Sequence, residues 1–442
     1  MEIQRKITQK LIAWKNSQYR KPLVLQGARQ VGKTWLLKKF GEENFESVAY
    51  FNFDKQMELK QFFETTKEPK RILQNLSLVH GKTILPEKTL VIFDEIQECN
   101  DALNALKYFC EDASEYCIAC AGSLLGVALS RGASFPVGKV DFMQVYPVTF
   151  NEFLQVAEPK LNDYLNTIAN VEPIPDIFFT PLVEKFKMYY LSGGMPEAIV
   201  ALLESGDISL TQTILQNILN AYSLDFSKHA DNKDISKINY IWTSLPSQLA
   251  RENKKFLYQS VKPGARARDY ENALVWLTNA GLVYKIHRST KPALPLSAYD
   301  DLTAFKIYLL DVGLLRRLAL LDPIAITEGN RLFTEFKGAL TENYILESLV
   351  HEFEVLPRYW TSGNQAEVDF LVQYQNEIIP IEVKADENVK SKSLFQYRKT
   401  HSPRISIRYS LQNLKIDDGL VNIPLFMADN TQKILEILNK TI

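Results

Sequence analysis

Residues 22–40 read PLVLQGARQVGKTWLLKKF, and the fold follows from how this stretch divides. Pro22 to Leu25 is a short apolar run, Gly27 to Thr34 fits G-x-x-x-x-G-K-[ST], and WLLKKF continues with helical spacing. Strand, glycine loop and helix in that order turn successive backbone N–H groups inward at a helix start. There they and the helix dipole attract phosphate oxygens. The spacing predicts a phosphate cradle made by Gly27, Ala28, Arg29, Gln30, Val31, Gly32, Lys33 and Thr34. In such a cradle Lys33 would neutralise the β and γ phosphates of ATP, and Thr34 would hold Mg2+.

A second apolar run, Leu90-Val-Ile-Phe93, ends in Asp94-Glu95, at the strand end where open parallel sheets place ligands. Asp94 would complete magnesium coordination and Glu95 would polarise an attacking water, a pairing that points to hydrolysis. A third run, Ile118-Ala-Cys-Ala-Gly-Ser123, reads as the next central strand. Ser123 either senses the γ phosphate or the lytic water, or caps the helix that follows. SVAYFNFD supplies another strand, with Asp54 closing its turn.

The carboxyl end carries a separate constellation. EFKGALTENYILESLV reads as a helix, followed by the strand-like Glu367-Val-Asp369-Phe-Leu-Val and Ile378-Ile-Pro-Ile-Glu382-Val-Lys384. Residues 382 and 384 of a strand point the same way. Asp369 and Glu382, with Glu342 from the helix, would hold a divalent metal, and Lys384 would stabilise an attacking hydroxide or a pentavalent phosphate. Gln396 would orient water or phosphate. The bland alternative is a strand edge carrying salt bridges alone.

Between these ends, SLPSQLARENKKFLYQSVKPGARARDYENALVWLTNAGLVYKIHR has the element order of a winged helix. It contains a basic group, Lys262, Arg266 and Arg268, suited either to nucleic-acid or partner contact or to ordinary solvation. Gly193, Gly194 and Pro196 shape a tight connection, and FKIYLLDVGLLRRLALL packs a core.

The 442 residues suggest two or three domains, and 46% hydrophobic against 23% charged residues, at net charge -1, excludes a disordered tail or a globally basic coat. The opening residues show no signal-peptide pattern, and the apolar runs are too short to span a membrane, so a cytoplasmic protein without a membrane partner is expected. Cys117 and Cys120 form a lone C-x-x-C in an apolar strand, which reads as burial, and the five histidines are scattered.

On these residues the chain resembles, over nearly its whole length, a family of prokaryotic AAA-type ATPases with a carboxyl-terminal restriction-endonuclease-like domain. GARQVGKT, VIFDEIQ and GSLL carry the phosphate-loop, Asp94-Glu95 and Ser123 signatures. LSGGMPEAIV, KFLYQSVKPGARARDYENALVWL, FKIYLLDVGLL, FKGALTENYILESL, AEVDF and IPIEVKA extend the match. The resemblance implies an α/β architecture: an AAA-type ATPase domain over 1–155, a helical connector or lid over 156–230, a winged-helix-like domain over 231–325 and a restriction-endonuclease-like domain over 326–442. Gly138-Lys139 stands where the family often has Gly-Arg, so no arginine finger is assigned there; Arg131 is nearby, and homo-oligomer assembly stays open. The leading expectation is a magnesium-dependent ATPase acting on or regulated by DNA. The alternatives are an ATP-regulated, metal-dependent DNA nuclease and a nucleotide-dependent switch that binds a protein partner.

Overall fold

The structure, a computed structural model, describes residues 1–123, 126–127, 136–251, 254–323, 326, 334–363, 366–385 and 391–441. The chain forms two compact units: one of Gln4–Tyr146 with Asn279–Leu282, the other of Met1–Ile3, Pro147–Thr278 and Val283–Ile442.

The first unit is built on five parallel strands: β1 Leu23–Gln26, β2 Ser47–Asn52, β3 Thr89–Asp94, β4 Cys117–Ala121 and β5 Asp141–Gln144. Their order is β2-β3-β4-β1-β5. β3 and β4 are buried along their whole length, which is why TLVIFD and CIACA read as nearly continuous apolar runs rather than alternating ones. Phe51, Phe53, Phe63, Phe93 and Phe109 interlock beside the sheet at centroid distances of 5.5 to 6.2 Å. Cys117 and Cys120 are buried in β4 as free thiols, in keeping with the burial reading.

The second unit opens with helices, among them Phe150–Ala157, whose start is fixed by a reciprocal capping pair of Thr149 and Glu152. The helices Asn232–Leu249, Tyr258–Val261 and Ala267–Asn279 then precede the antiparallel hairpin of β6 Val283–Ser289 and β7 Asp300–Leu309. After the helix Thr334–Phe353 come β8 Arg358–Thr361, β9 Glu367–Tyr374, β10 Glu377–Val383, the helix Lys392–His401, β11 Ser406–Ser410, β12 Lys415–Asp417 and β13 Leu420–Pro424. All eight strands form one mixed sheet in the order β12-β13-β11-β10-β9-β8-β6-β7, because β6 runs parallel to and pairs with β8. The boundary expected at residues 325 and 326 therefore lies inside one compact unit, and the hairpin extends the carboxyl-terminal sheet.

LSGGMPEAIV and DVGLL are two halves of one clamp in this unit. Asp311 is fully buried and accepts the Gly194 N–H at 2.5 Å and the Leu314 N–H at 2.8 Å, the latter capping the helix Val312–Leu318. Gly193 has φ 61°, and a Cβ there would lie 2.2 Å from Asp311 Oδ1. The buried Arg316 guanidinium donates to the Leu191 and Leu321 carbonyls, both at 3.0 Å. A backbone this close to a buried carboxylate accounts for both glycine motifs without any ligand.

Candidate functional site

The loop after β1 bends through two glycines. Gly27 has φ 142°, and a Cβ on it would sit 2.2 Å from the Val145 carbonyl oxygen. Gly32, at φ 93°, starts the helix Lys33–Asn44 from the left-handed region. Gln30 also has positive φ, 67°. β1 lies between β4 and β5 while the chain continues to β2 at the far edge, so the loop emerges at a switch point of the sheet.

Lys33 is 7% exposed, and its Nζ donates to the Gly27 and Ala28 carbonyls at 2.8 and 2.7 Å. Burial pushes this ammonium down to about 8, against the opposing pull of Glu95 and Asp94. Thr34 Oγ1 donates to the Asp94 carboxylate, 3.0 Å from Oδ1 and 3.1 Å from Oδ2. A hydroxyl and a carboxylate converging beside a buried lysine are the hard oxygen donors and fixed charge that a magnesium–phosphate group requires, so the residues present fit that ion.

Glu95 follows in the left-handed region, φ 49° and ψ 45°, a conformation uncommon for residues other than glycine. The turn sets its Oε2 3.1 Å from the Ser123 hydroxyl and 2.6 Å from Gln97 Nε2, both donating. Lys33, Thr34, Asp94, Glu95 and Ser123, named from sequence, thus converge at the ends of β1, β3 and β4.

Other members of this site escaped sequence reading. Tyr50 donates to Asp94 Oδ2 at 2.6 Å and Asn52 Nδ2 reaches the same oxygen at 3.3 Å. Both stand on β2, where Asn52 pairs in register with Asp94. Burial, then the bond to Asp94, pushes the Tyr50 phenol up to about 12. The alternation of SVAYFN places the two on one face and was the available signal. Arg5, 9% exposed, donates to the Val31 carbonyl at 3.1 Å and to the Tyr146 carbonyl at 2.7 Å, bracing the phosphate loop from the amino-terminal segment.

The carboxyl-terminal constellation is also assembled, on different terms. β9 and β10 are antiparallel, with Phe370 opposite Ile381, and Asp369 Oδ2 accepts the Val383 N–H at 2.8 Å. Glu342 is 4% exposed; Lys306 Nζ lies 3.3 Å from its Oε1, Tyr308 donates to the same oxygen, and Lys254 donates to Oε2. Lys306 is fully buried and also pairs with Glu367 at 2.5 Å. Burial would lower the Lys306 pKa, but Glu342, Glu367 and Asp369 outweigh it and hold the ammonium well above its ordinary value. Burial would likewise raise Glu342, but Lys254 and Lys306 prevail and hold it low; burial and the Glu342 charge raise Asp369. Lys384 Nζ is 2.6 Å from Glu382 Oε1, and Ser391 donates to Oε2. Gln396 lies exposed on the helix Lys392–His401. Among the described residues, no group of three or more His, Cys, Asp and Glu is set to hold a metal ion.

Lys262, Arg266 and Arg268 are all exposed around the start of the helix Ala267–Asn279, with Lys262 Nζ 5.3 Å from the Tyr240 ring centre. Lys139 pairs with Glu111 at 2.8 Å, and Arg131 lies outside the described residues. None of the described helices is long and apolar enough to cross a membrane.

The sheet order and the groups around the loop define an α/β phosphate-loop unit. Residues 19–154 match the family described as an AAA domain, and the chain carries an AAA-type ATPase domain there. Residues 183–325 and 337–427 match two families described as domains of unknown function, DUF8612 and DUF4143. No curated protein matches the chain. Among solved structures, a Walker-type ATPase of Pyrococcus abyssi is similar at 15% identity over 72% of this chain and 96% of its own, with TM-score 0.45. Orc1 of Aeropyrum pernix, in complex with DNA, is similar at 14% identity over 74% of this chain and 94% of its own, with TM-score 0.26. The RuvB Holliday junction branch migration motor of Thermotoga maritima is similar at 12% identity over 66% and 91%, with TM-score 0.29.

Proposed function

We propose that the chain is a magnesium-dependent ATPase whose nucleotide cycle acts on DNA. The observation that carries this reading is the convergence of Lys33, Thr34 and Asp94 with a Glu95 carboxylate held by Ser123 and Gln97. The turned-in loop backbone and Lys33 bind the phosphates, and release of Lys33 from the Gly27 and Ala28 carbonyls frees its N–H donors for them. Thr34 and Asp94 would hold magnesium, which supplies charge neutralisation across the β and γ phosphates. Glu95 takes the proton of the attacking water, and the Ser123 hydroxyl keeps its carboxylate in place.

The DNA part of the reading rests on three exposed basic side chains at the start of the third helix ahead of a β-hairpin, the element order of a winged helix. Neutralising Lys262, Arg266 and Arg268 together should weaken duplex binding in fluorescence anisotropy and flatten its dependence on salt. It should also remove any stimulation of phosphate release by DNA. Unchanged affinity in a variant with wild-type circular dichroism would turn the reading toward a protein-partner switch.

A further inference from the structure

The carboxyl-terminal carboxylates do not fit a metal. A divalent cation needs uncompensated negative charge on its ligands, and two ammonium groups already neutralise the central carboxylate, whereas the hydrogen-bond donors on Asp94 are all neutral. Glu342 Oε1 faces the Lys306 ammonium at 3.3 Å and the Tyr308 hydroxyl, and Oε2 takes Lys254. Glu382 has one oxygen on Lys384 and the other on Ser391, and Asp369 Oδ2 is on the Val383 N–H. The donors come from the protein itself: Lys306 and Tyr308 alternate on β7, so both project toward the helix that carries Glu342.

The Lys306 ammonium is closed to solvent. It is fully buried, lies 2.5 Å from Glu367 of β9, and stands 4.9 Å from the ring centre of Tyr359 on β8. A buried ammonium is tolerated only when paired and hydrogen-bonded, and removing one partner strands the other charge. The two lysines thus connect three separate stretches, the segment after the helix Asn232–Leu249, the hairpin strand β7, and the helix Thr334–Phe353, through one glutamate.

We propose that Lys306 and Lys254 are the resident cations of this cluster, occupying the position a divalent metal takes in a nuclease-like site. The set is then a charge lock that fastens the β6–β7 hairpin to the carboxyl-terminal sheet. It does not depend on the ATPase reading, and its test uses no nucleotide.

The test has two arms in the full-length chain, in an Asp94→Asn background that removes the phosphate-loop metal ligand. In the first, Mn2+ alone is titrated and bound ion is counted by electron paramagnetic resonance. No bound Mn2+ whose loss follows Asp369→Asn or Glu382→Gln is the expected result; stoichiometric Mn2+ abolished by either change would overturn the proposal. The second arm compares thermal melting of Lys306→Met, Glu342→Gln and the double variant. Each single change leaves a buried charge short of one of its two partners and should lower the melting temperature by about 10 °C, while the double change should recover at least about half of that loss. Additive losses would show that the two side chains are not locked together, and the proposal would fall. Should a single variant fail to fold while the double variant folds, the coupling is met in its extreme form; failure of the double variant as well would count against it.

Discussion

The Ser123 hydroxyl donates to Glu95 Oε2 at 3.1 Å, tying the end of β4 to the end of β3. Glu95 could otherwise swing, since it leaves β3 through a left-handed turn and, among the described residues, Gln97 is the one other donor to that oxygen. Ser123→Ala should therefore lower kcat for ATP by about tenfold, the worth of one hydrogen bond to a charged group, and leave nucleotide affinity nearly unchanged. Steady-state phosphate release set beside equilibrium nucleotide binding measures both. A raised KM with unchanged kcat would place Ser123 in binding instead.

Arg5 holds the phosphate loop at Val31 and the exit of β5 at Tyr146 through one buried guanidinium. Arg5→Ala leaves two carbonyls to find new donors and should cost about 2–4 kcal/mol of stability, with weaker ATP binding as the loop loosens. Arg5→Lys should rescue only part, since a lysine cannot span both oxygens with a planar fork. Urea unfolding with and without nucleotide reads the two effects, and an Arg5→Ala chain of wild-type stability would remove Arg5 from this role.

Asp311 makes a pH signature that is independent of the nucleotide site. Burial raises its carboxyl from 3.8 to about 6, although the Gly194, Leu314 and Gly313 N–H groups pull it down. Because the folded value exceeds the unfolded one, its stabilising contribution is full below about 4 and is lost as pH rises through about 6. The shift corresponds to about 3 kcal/mol, and Glu347, raised by burial and by Asp311, works in the same direction. Urea midpoints should fall between pH 4 and pH 6.5, and Asp311→Asn should flatten that slope. An unchanged slope in the variant would assign the dependence elsewhere.

Local patterns made the phosphate loop legible because strand, glycines, lysine and helix start are contiguous, and Asp94-Glu95 and Ser123 because each ends an apolar strand. Tyr50 and Asn52 were legible only through alternation on β2, whose neighbour β3 is set by sheet order and not by sequence distance. Arg5 had no local signal, since its acceptors lie 26 and 141 residues away. The carboxyl-terminal set shows the converse: Asp369, Glu382 and Lys384 follow a readable pattern, yet their surroundings turn on Lys306, a lysine inside FKIYLL, a stretch whose local pattern shows core packing alone. The pairing of β6 with β8, which merges hairpin and carboxyl-terminal sheet, was likewise invisible to any window of sequence.

Phosphate release by purified Lys33→Ala and Glu95→Gln chains, each paired with a measurement of ATP affinity in the presence of Mg2+, tests the central claim most directly. Glu95→Gln should bind ATP nearly as the wild type does while turning over at least about 100-fold more slowly, as loss of a positioned base requires. Lys33→Ala should lose affinity itself, because the loop's own buried cation is gone. Undiminished turnover in both variants would contradict the assignment of the hydrolytic site to the ends of β1 and β3.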